Sequence, residues 1–197
     1  MQKFCANQYK LTIRDGKAES SSDNRLPSER YGEAGNDECI KKAEKAYQFL
    51  TDKKYQEAKE LYLQALQCSP DNAVIWNDYA VSCYQLKEIN EAERALNKAL
   101  ALNRDYALAY RNLAFVNWGK GLNEKGAQMA SKAADLDPSD ENLRYAAHAY
   151  ILLSDGKDMK NKKESLKTAA QYYREMKNIN DTSKKNLEKI EKFLKQN

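Results

Sequence analysis

The chain has 197 residues, of which 42% are hydrophobic and 31% are charged, and its formal net charge is +4. Only seven glycines and three prolines are present. Helix-forming residue types dominate, so a fold rich in tight β-turns is excluded. No run of about 18 apolar residues exists, which excludes a membrane-spanning segment of that kind.

Residues 1–36 are predicted to form an N-terminal arm or linker that is flexible or loosely docked. Tyr9, Leu11 and Ile13 alternate with polar residues before Asp15-Gly16, which indicates one short strand and a turn. The segment lacks the hydrophobic core of a secretion signal. We therefore expect a cytoplasmic protein whose cysteines are free thiols; these are Cys5, Cys39, Cys68 and Cys83.

The middle of the chain repeats itself every 34 residues. Three segments align without a gap, namely 39–72, 73–106 and 107–140. Small residues recur at matching positions, with a spacing that suits two closely approaching helices; they are Ala46, Ala80 and Ala114, then Ala58, Ala92 and Gly126. Asp71-Asn72 and Ser139-Asp140 follow prolines, and each pair is predicted to cap the helix after it.

These columns resemble the tetratricopeptide repeat, a helix–turn–helix unit of 34 residues. The resemblance implies an all-α, right-handed solenoid that spans residues 37–181. An irregular fourth repeat is expected over 141–181, with a long loop at 154–163. Residues 182–197 are predicted to form a C-terminal capping helix whose buried stripe is Leu187, Ile190, Phe193 and Leu194.

A glycine-rich stretch at 118–126 could be mistaken for a phosphate-binding loop. Such a loop needs Lys and then Ser or Thr after its last glycine, but Ala127-Gln128 follow Gly126 here. We interpret the stretch as the turn of the third repeat, with Gly121 at the reversal. Gly126 replaces an alanine at a cost of about 1 kcal/mol in helix propensity. This turn is therefore predicted to be the most weakly packed of the solenoid.

No catalytic or metal-binding pattern is found. His148 is the only histidine and falls in a column that holds alanine in the other repeats, so we expect it to be packed rather than to act as a general base. Cys68 and Cys83 fall in core columns, and the cysteine spacing does not fit a zinc site. We predict no enzyme activity, no metal and no cofactor.

In tetratricopeptide folds, the first helices of successive repeats line a concave groove that usually binds peptides. The resemblance implies an aromatic, largely uncharged groove here, which we call the first-helix groove. Its expected binding residues are Tyr47, Asn77, Val81, Tyr84, Arg111, Asn112, Phe115, Trp118 and Tyr145. Tyr, Trp and Arg often dominate binding energy at interfaces. The alternative that a neighbouring helix, the N-terminal arm or the C-terminal helix covers these side chains stays open.

One specific role known in the family is not expected. Co-chaperones of this family hold the acidic C-termini of heat-shock chaperones with a clamp of Lys, Asn, Asn, Lys and Arg. The matching positions in this chain are Ala43, Tyr47, Asp78, Leu108 and Asn112. Nearly every cation of the clamp is therefore missing.

The predicted function is a non-catalytic adaptor or chaperone-like module that binds a protein or peptide. A first alternative is a scaffold that self-assembles into a homo-oligomer through its open repeat faces. A second is contact with RNA or an anionic membrane through residues 157–197, which carry 12 Lys or Arg against 6 Asp or Glu. Glutamates interleave these lysines, as on a solvated helix face, so we do not expect nucleic acid as the partner.

Overall fold

The computed structural model describes Tyr31, residues 37–155 and residues 157–196. All regular elements in those ranges are α-helices: α1 (Asp37–Thr51), α2 (Tyr55–Cys68), α3 (Ala73–Gln85), α4 (Ile89–Leu102), α5 (Ala107–Gly119), α6 (Asn123–Leu136), α7 (Asp140–Ser154), α8 (Met159–Glu175) and α9 (Asp181–Gln196). The all-α prediction is confirmed for this part of the chain. The short strand predicted at 9–13 lies outside it. None of the described helices is long and apolar enough to cross a bilayer.

The chain divides into two compact units, which are described separately. Among the described residues, Tyr31 and residues 37–116 form the first unit, and residues 117–155 and 157–196 form the second. In the first unit, α1 packs on α2, α2 on α3, and α3 on α4. In the second unit, α6 packs on α7, α7 on α8, and α8 on α9. Within each unit, the helices named here that are adjacent in sequence are thus adjacent in space, as expected of stacked helical hairpins.

The alanine columns lie in the core. Ala46, Ala80 and Ala114 have no exposed surface, and the same holds for Ala58 and Ala92. Without bulk beyond Cβ, these residues let the helix backbones approach closely. Larger side chains fill the remaining space, and the larger fully buried ones include Tyr62, Leu96, Leu166 and Tyr173.

The three repeat turns share an unusual backbone conformation. Lys53, Lys87 and Gly121 occupy the same place in successive repeats, and their φ angles are 62°, 67° and 75°. Glycine adopts this left-handed region without a steric penalty, which confirms the role predicted for Gly121. The two lysines each bear a cost of about 1 kcal/mol for the same conformation.

Two predicted caps form. The Asn72 side-chain oxygen accepts hydrogen bonds from the backbone amides of Val74 and Ile75, at 3.0 and 3.1 Å. The Ser139 hydroxyl accepts from the backbone amide of Asn142 at 3.5 Å. Each cap satisfies amides that would otherwise lack a partner within the helix, and so fixes where α3 and α7 begin.

The loop predicted at 154–163 is much shorter in the structure, because α8 already begins at Met159. The Asp158 carboxylate caps this helix by accepting a hydrogen bond from the backbone amide of Asn161 at 2.9 Å. Lysine is also a good helix former, so the lysine-rich sequence that suggested a loop is compatible with the first turns of α8.

The irregular repeat and the last helix share a core. Ala147, Ile151, Leu166, Ala169, Ala170, Tyr173 and Ile190 form it, and Leu187, Phe193 and Leu194 pack against it. The apolar stripe predicted for the last helix is confirmed. The Asp140 carboxylate also accepts hydrogen bonds from the backbone amides of Lys177 and Asn178, at 2.6 and 2.8 Å. The link between α8 and α9 is thereby tied to the start of α7.

The cysteines require a correction. Cys39 and Cys68 form a disulfide, with their Cα atoms 6.2 Å apart, so the prediction of free thiols is wrong for this pair. Cys39 lies near the start of α1 and Cys68 ends α2. An antiparallel helical hairpin brings those two ends within disulfide distance. Cys83 is a free and buried thiol, and Cys5 lies outside the described residues.

Candidate functional site

The predicted binding residues lie on the first helix of each repeat. Tyr47 is in α1; Asn77, Val81 and Tyr84 are in α3; Arg111, Asn112, Phe115 and Trp118 are in α5; and Tyr145 is in α7. The residues through Phe115 belong to the first unit, whereas Trp118 and Tyr145 belong to the second.

The structure brings two predicted residues of the first unit together in a polar network. The Asn112 amide donates a hydrogen bond to the Asn77 side-chain oxygen at 2.8 Å. Asn77 in turn donates to one carboxylate oxygen of Asp78 at 3.0 Å. Asn77 and Asp78 are only 1% and 2% exposed. Hydrogen bonds in such a buried site orient one another, so these side chains are held in fixed positions.

Tyr31 completes this network from the N-terminal arm. Its hydroxyl donates to the second carboxylate oxygen of Asp78 at 2.9 Å and lies 3.3 Å from the Tyr62 hydroxyl. Its backbone carbonyl accepts a hydrogen bond from the Asn72 side chain at 2.9 Å. Tyr31 is 3% exposed, so at this residue the arm is docked on α2 and α3. Sequence reasoning missed this contact because no periodic pattern surrounds Tyr31.

The other predicted residues of the first unit differ in exposure. Tyr47, Val81, Tyr84 and Phe115 are partly buried, and burial raises the pKa of Tyr84. Arg111 is only 6% exposed, which leaves little of its side chain accessible to a ligand. Their role in binding stays a prediction.

In the second unit, Trp118 packs closely against Gly126 of α6. A Cβ atom added at Gly126 would overlap the indole ring. At Gly126 the ring thus occupies the space that an alanine side chain would need; that this turn is the most weakly packed of the solenoid stays a prediction. Tyr145 lies near Arg144, whose guanidinium carbon is 5.2 Å from the centre of the tyrosine ring.

The residues with potential chemistry are packed. Burial raises the pKa of the Cys83 thiol to about 12, so this thiol stays protonated at neutral pH. Burial and, to a lesser extent, the charge of Arg144 lower the pKa of His148 to about 4. The His148 ring meets Tyr173 edge to face, with centroids 6.0 Å apart. Within the described ranges, no group of three or more His, Cys, Asp or Glu residues could hold a metal.

The repeated hairpins, the alanine columns and the left-handed turn residues agree with the sequence resemblance. A model of the family described as tetratricopeptide repeat matches residues 49–114. Residues 49–114 are thus a tetratricopeptide repeat segment. The matched segment contains α2 to α4 in full, and hence the turn at Lys87 and the Asn77–Asp78 pair.

Curated relatives share these repeats within much longer proteins. RNA polymerase II-associated protein 3 of Xenopus laevis is 34% identical over 97 residues, which are 49% of this chain and 15% of that protein. Human cilia- and flagella-associated protein 70 is 35% identical over 100 residues, which are 51% of this chain and 9% of that protein. The chain thus spans only a small part of the length of these tetratricopeptide repeat relatives.

Solved structures agree on the fold. The first tetratricopeptide repeat domain of Spaghetti (RPAP3) aligns with a TM-score of 0.57 at 24% identity, over 63% of this chain and all of that one. MamA aligns with a TM-score of 0.61 at 18% identity, over 70% of this chain and 77% of that one. These similarities extend the tetratricopeptide repeat fold beyond the segment that the family model matches.

Proposed function

We propose that this tetratricopeptide repeat protein is a non-catalytic adaptor that binds a segment of a protein partner in the part of its first-helix groove that lies in the first unit. The observation that carries the proposal is the buried network of Asn112, Asn77 and Asp78 on α3 and α5. The same helices carry the partly exposed Tyr84 and Phe115. Fixed polar groups beside aromatic surface can orient and anchor a peptide. The division into an arm at 1–36, repeats to 181 and a capping helix is part of this proposal.

Two structurally similar domains bind peptides, which supports a peptide ligand for this chain. The acidic character of those peptides, however, does not suit this groove. The first domain of Spaghetti (RPAP3) was solved with the HSP90 peptide SRMEEVD, and the second domain of human RPAP3 with the HSP70 peptide SGPTIEEVD. Both peptides end in acidic residues. Here Asp78 adds a buried acidic side chain to the groove, while Ala43 and Leu108 provide no cation. We therefore propose that the part of the partner segment that lies near Asp78 is neutral or cationic.

The absence of catalysis is also part of the proposal. Burial disfavours the thiolate of Cys83 and the protonated form of His148 at neutral pH, so neither side chain has the pKa near neutrality that suits nucleophilic or acid–base catalysis. One relative, human Protein O-mannosyl-transferase TMTC3, is named as a transferase, but the 105 aligned residues are 11% of that protein. We attribute the likeness to shared repeats.

The proposed location is the cytoplasm, and the disulfide provides a test of it. Disulfides are rare in a reducing compartment, so Cys39 and Cys68 should be reduced in at least part of the cellular protein if the proposal is right. Rapid alkylation of thiols in intact cells, followed by mass spectrometry, measures that fraction. A fully oxidised pair in cells would contradict a cytoplasmic location.

Binding can be tested with a phage-displayed library of random 15-residue peptides. We expect the full chain to enrich a family of peptides, and Tyr84→Ala to weaken their binding about tenfold or more, because aromatic anchors dominate such interfaces. Leu63→Ala is the matched control, since Leu63 is a 40% exposed apolar residue on the second helix of its repeat. Circular dichroism and thermal melting establish that both variants are folded. Equal losses in the two variants, or no enrichment, would contradict the proposal.

A further inference from the structure

We propose that Asp78, Tyr62 and Asn72 form a seat for a tyrosine side chain, filled in cis by Tyr31 and in trans by a tyrosine of the partner segment. We call these three residues the tyrosine seat. The inference rests on the proposed function, because Asp78 of the seat lies on α3 beside Asn77 of the first-helix groove, while Tyr62 lies on α2, the second helix of its repeat. It goes further in assigning Tyr31 the role of an internal competitor.

The first support is that Tyr31 is held at both ends. Its hydroxyl reaches Asp78 and Tyr62, at 2.9 and 3.3 Å, and its carbonyl oxygen is 2.9 Å from the Asn72 amide nitrogen. The phenol ring between these contacts lies in a residue that is 3% exposed. Side-chain hydroxyl, ring and backbone are all recognised, as a bound peptide residue would be.

The second support is that contacts independent of Tyr31 shape the seat. Asn77 holds one oxygen of Asp78 at 3.0 Å and is itself held by Asn112. The Asn72 side-chain oxygen caps α3 at Val74 and Ile75. The groups that receive the phenol are thus oriented by their own repeats. A preformed site of this kind lowers the entropic cost of binding an incoming tyrosine.

The third support is the chemistry of the buried carboxylate. Asp78 is 2% exposed and accepts the phenol hydrogen bond through a charged oxygen. Hydrogen bonds to charged groups are stronger than those between neutral groups. A tyrosine donor therefore fits the seat, whereas a phenylalanine provides no donor and a phosphotyrosine brings a second anion to Asp78. The seat should therefore bind a tyrosine side chain more tightly than a phenylalanine, and a phenylalanine more tightly than a phosphotyrosine.

The covalent connection explains how the arm competes. Tyr31 precedes the start of α1 by six residues, and a short tether gives an effective concentration in the millimolar range. A partner tyrosine must therefore outcompete an intramolecular one. Removal of the Tyr31 side chain should open the seat to an external peptide without altering the groove.

The experiment uses a fluorescein-labelled peptide of residues 25–36 and full-length protein, with binding measured by fluorescence anisotropy. We expect the peptide to bind Tyr31→Ala at least tenfold more tightly than the wild type. The same peptide with phenylalanine at position 31 should bind Tyr31→Ala about tenfold more weakly, because it lacks a hydrogen bond to a charged group. The phosphotyrosine peptide should bind more weakly still.

A second variant covers the case in which Tyr31→Ala fails to fold. Tyr31→Phe keeps the ring and loses only the hydroxyl, so it should admit the tyrosine peptide more readily than the wild type. If the peptide binds neither folded variant, or if the tyrosine and phenylalanine peptides bind equally, the seat is overturned. Library peptides that enrich on the wild type and on Tyr31→Ala with equal affinity would overturn it too, while leaving the proposed groove function standing. If the peptide of residues 25–36 binds but the library gives no enrichment, the result supports the tyrosine seat and contradicts peptide binding in the first-helix groove.

Discussion

At the residue scale, the repeat turns show that the same backbone conformation is occupied by different side chains. Lys87 and Gly121 are equivalent in successive repeats, with φ angles of 67° and 75°. We expect Lys87→Gly to stabilise the protein by about 1 kcal/mol, because it relieves the left-handed penalty, and Gly121→Ala to destabilise it by a similar amount. Urea unfolding measures both. Lys98→Gly, in the exposed middle of α4, is the control and should destabilise by about 1 kcal/mol.

The contact between Trp118 and Gly126 makes a prediction opposite to helix propensity. Alanine usually improves a helix by about 1 kcal/mol over glycine, but a Cβ at Gly126 would overlap the indole. We therefore expect Gly126→Ala to lower the thermal melting temperature. In a Trp118→Ala background the same substitution should be neutral or stabilising, since the obstructing ring is gone. A melting temperature that rises in the wild-type background would contradict this account of the contact.

His148 gives a pH dependence with a defined sign. Its folded pKa of about 4 lies below the unfolded value of about 6.5, so protonation favours the unfolded chain. Stability should fall by roughly 2–3 kcal/mol between pH 7.5 and pH 4.5 on this account. His148→Phe keeps a ring against Tyr173 and should flatten that part of the profile. Urea unfolding midpoints are measured at the two pH values for the wild type and the variant. Their difference separates the contribution of His148 to the pH dependence from that of the carboxylates.

At the element scale, the disulfide joins the start of α1 to the end of α2. Its two cysteines are 29 residues apart in sequence, and closing a loop of that length stabilises a protein by about 3–4 kcal/mol through the unfolded state. Reduction should therefore lower the melting temperature of the first unit. The double variant Cys39→Ser, Cys68→Ser is the control: it should melt at the lower temperature with or without reductant. If reductant still lowered the melting temperature of this variant, the stabilisation would not come from the Cys39–Cys68 disulfide.

The same elements show what local sequence can and cannot determine. The caps at Asn72 and Ser139 and the stripe of α9 were predictable, because each depends on residues within a few positions of one another. The start of α8 was not, since its lysines are compatible with both helix and loop. The disulfide and the Trp118–Gly126 contact depend on which residues meet after folding, and no spacing rule in a single sequence states that.

At the scale of the whole molecule, the repeat period fixed the fold class more firmly than it fixed the site. The 34-residue columns assign every first helix, so the positions of Asn77 and Asn112 on α3 and α5 followed from alignment alone. Their mutual hydrogen bond and their link to Asp78 needed the structure. Tyr31 could not be found from the repeats, because it lies before the first one. Proteins of this architecture can therefore conceal a site component in the segment that precedes their repeats.

Asn72 links events that are far apart along the chain. Its oxygen caps α3, while its nitrogen holds the carbonyl of a residue 41 positions earlier. Because fraying at the start of α3 and release of Tyr31 both break hydrogen bonds of the Asn72 side chain, each event should make the other easier. The backbone amides of Val74 and Ile75 would then report arm departure through their hydrogen-exchange rates, without any label on the arm itself.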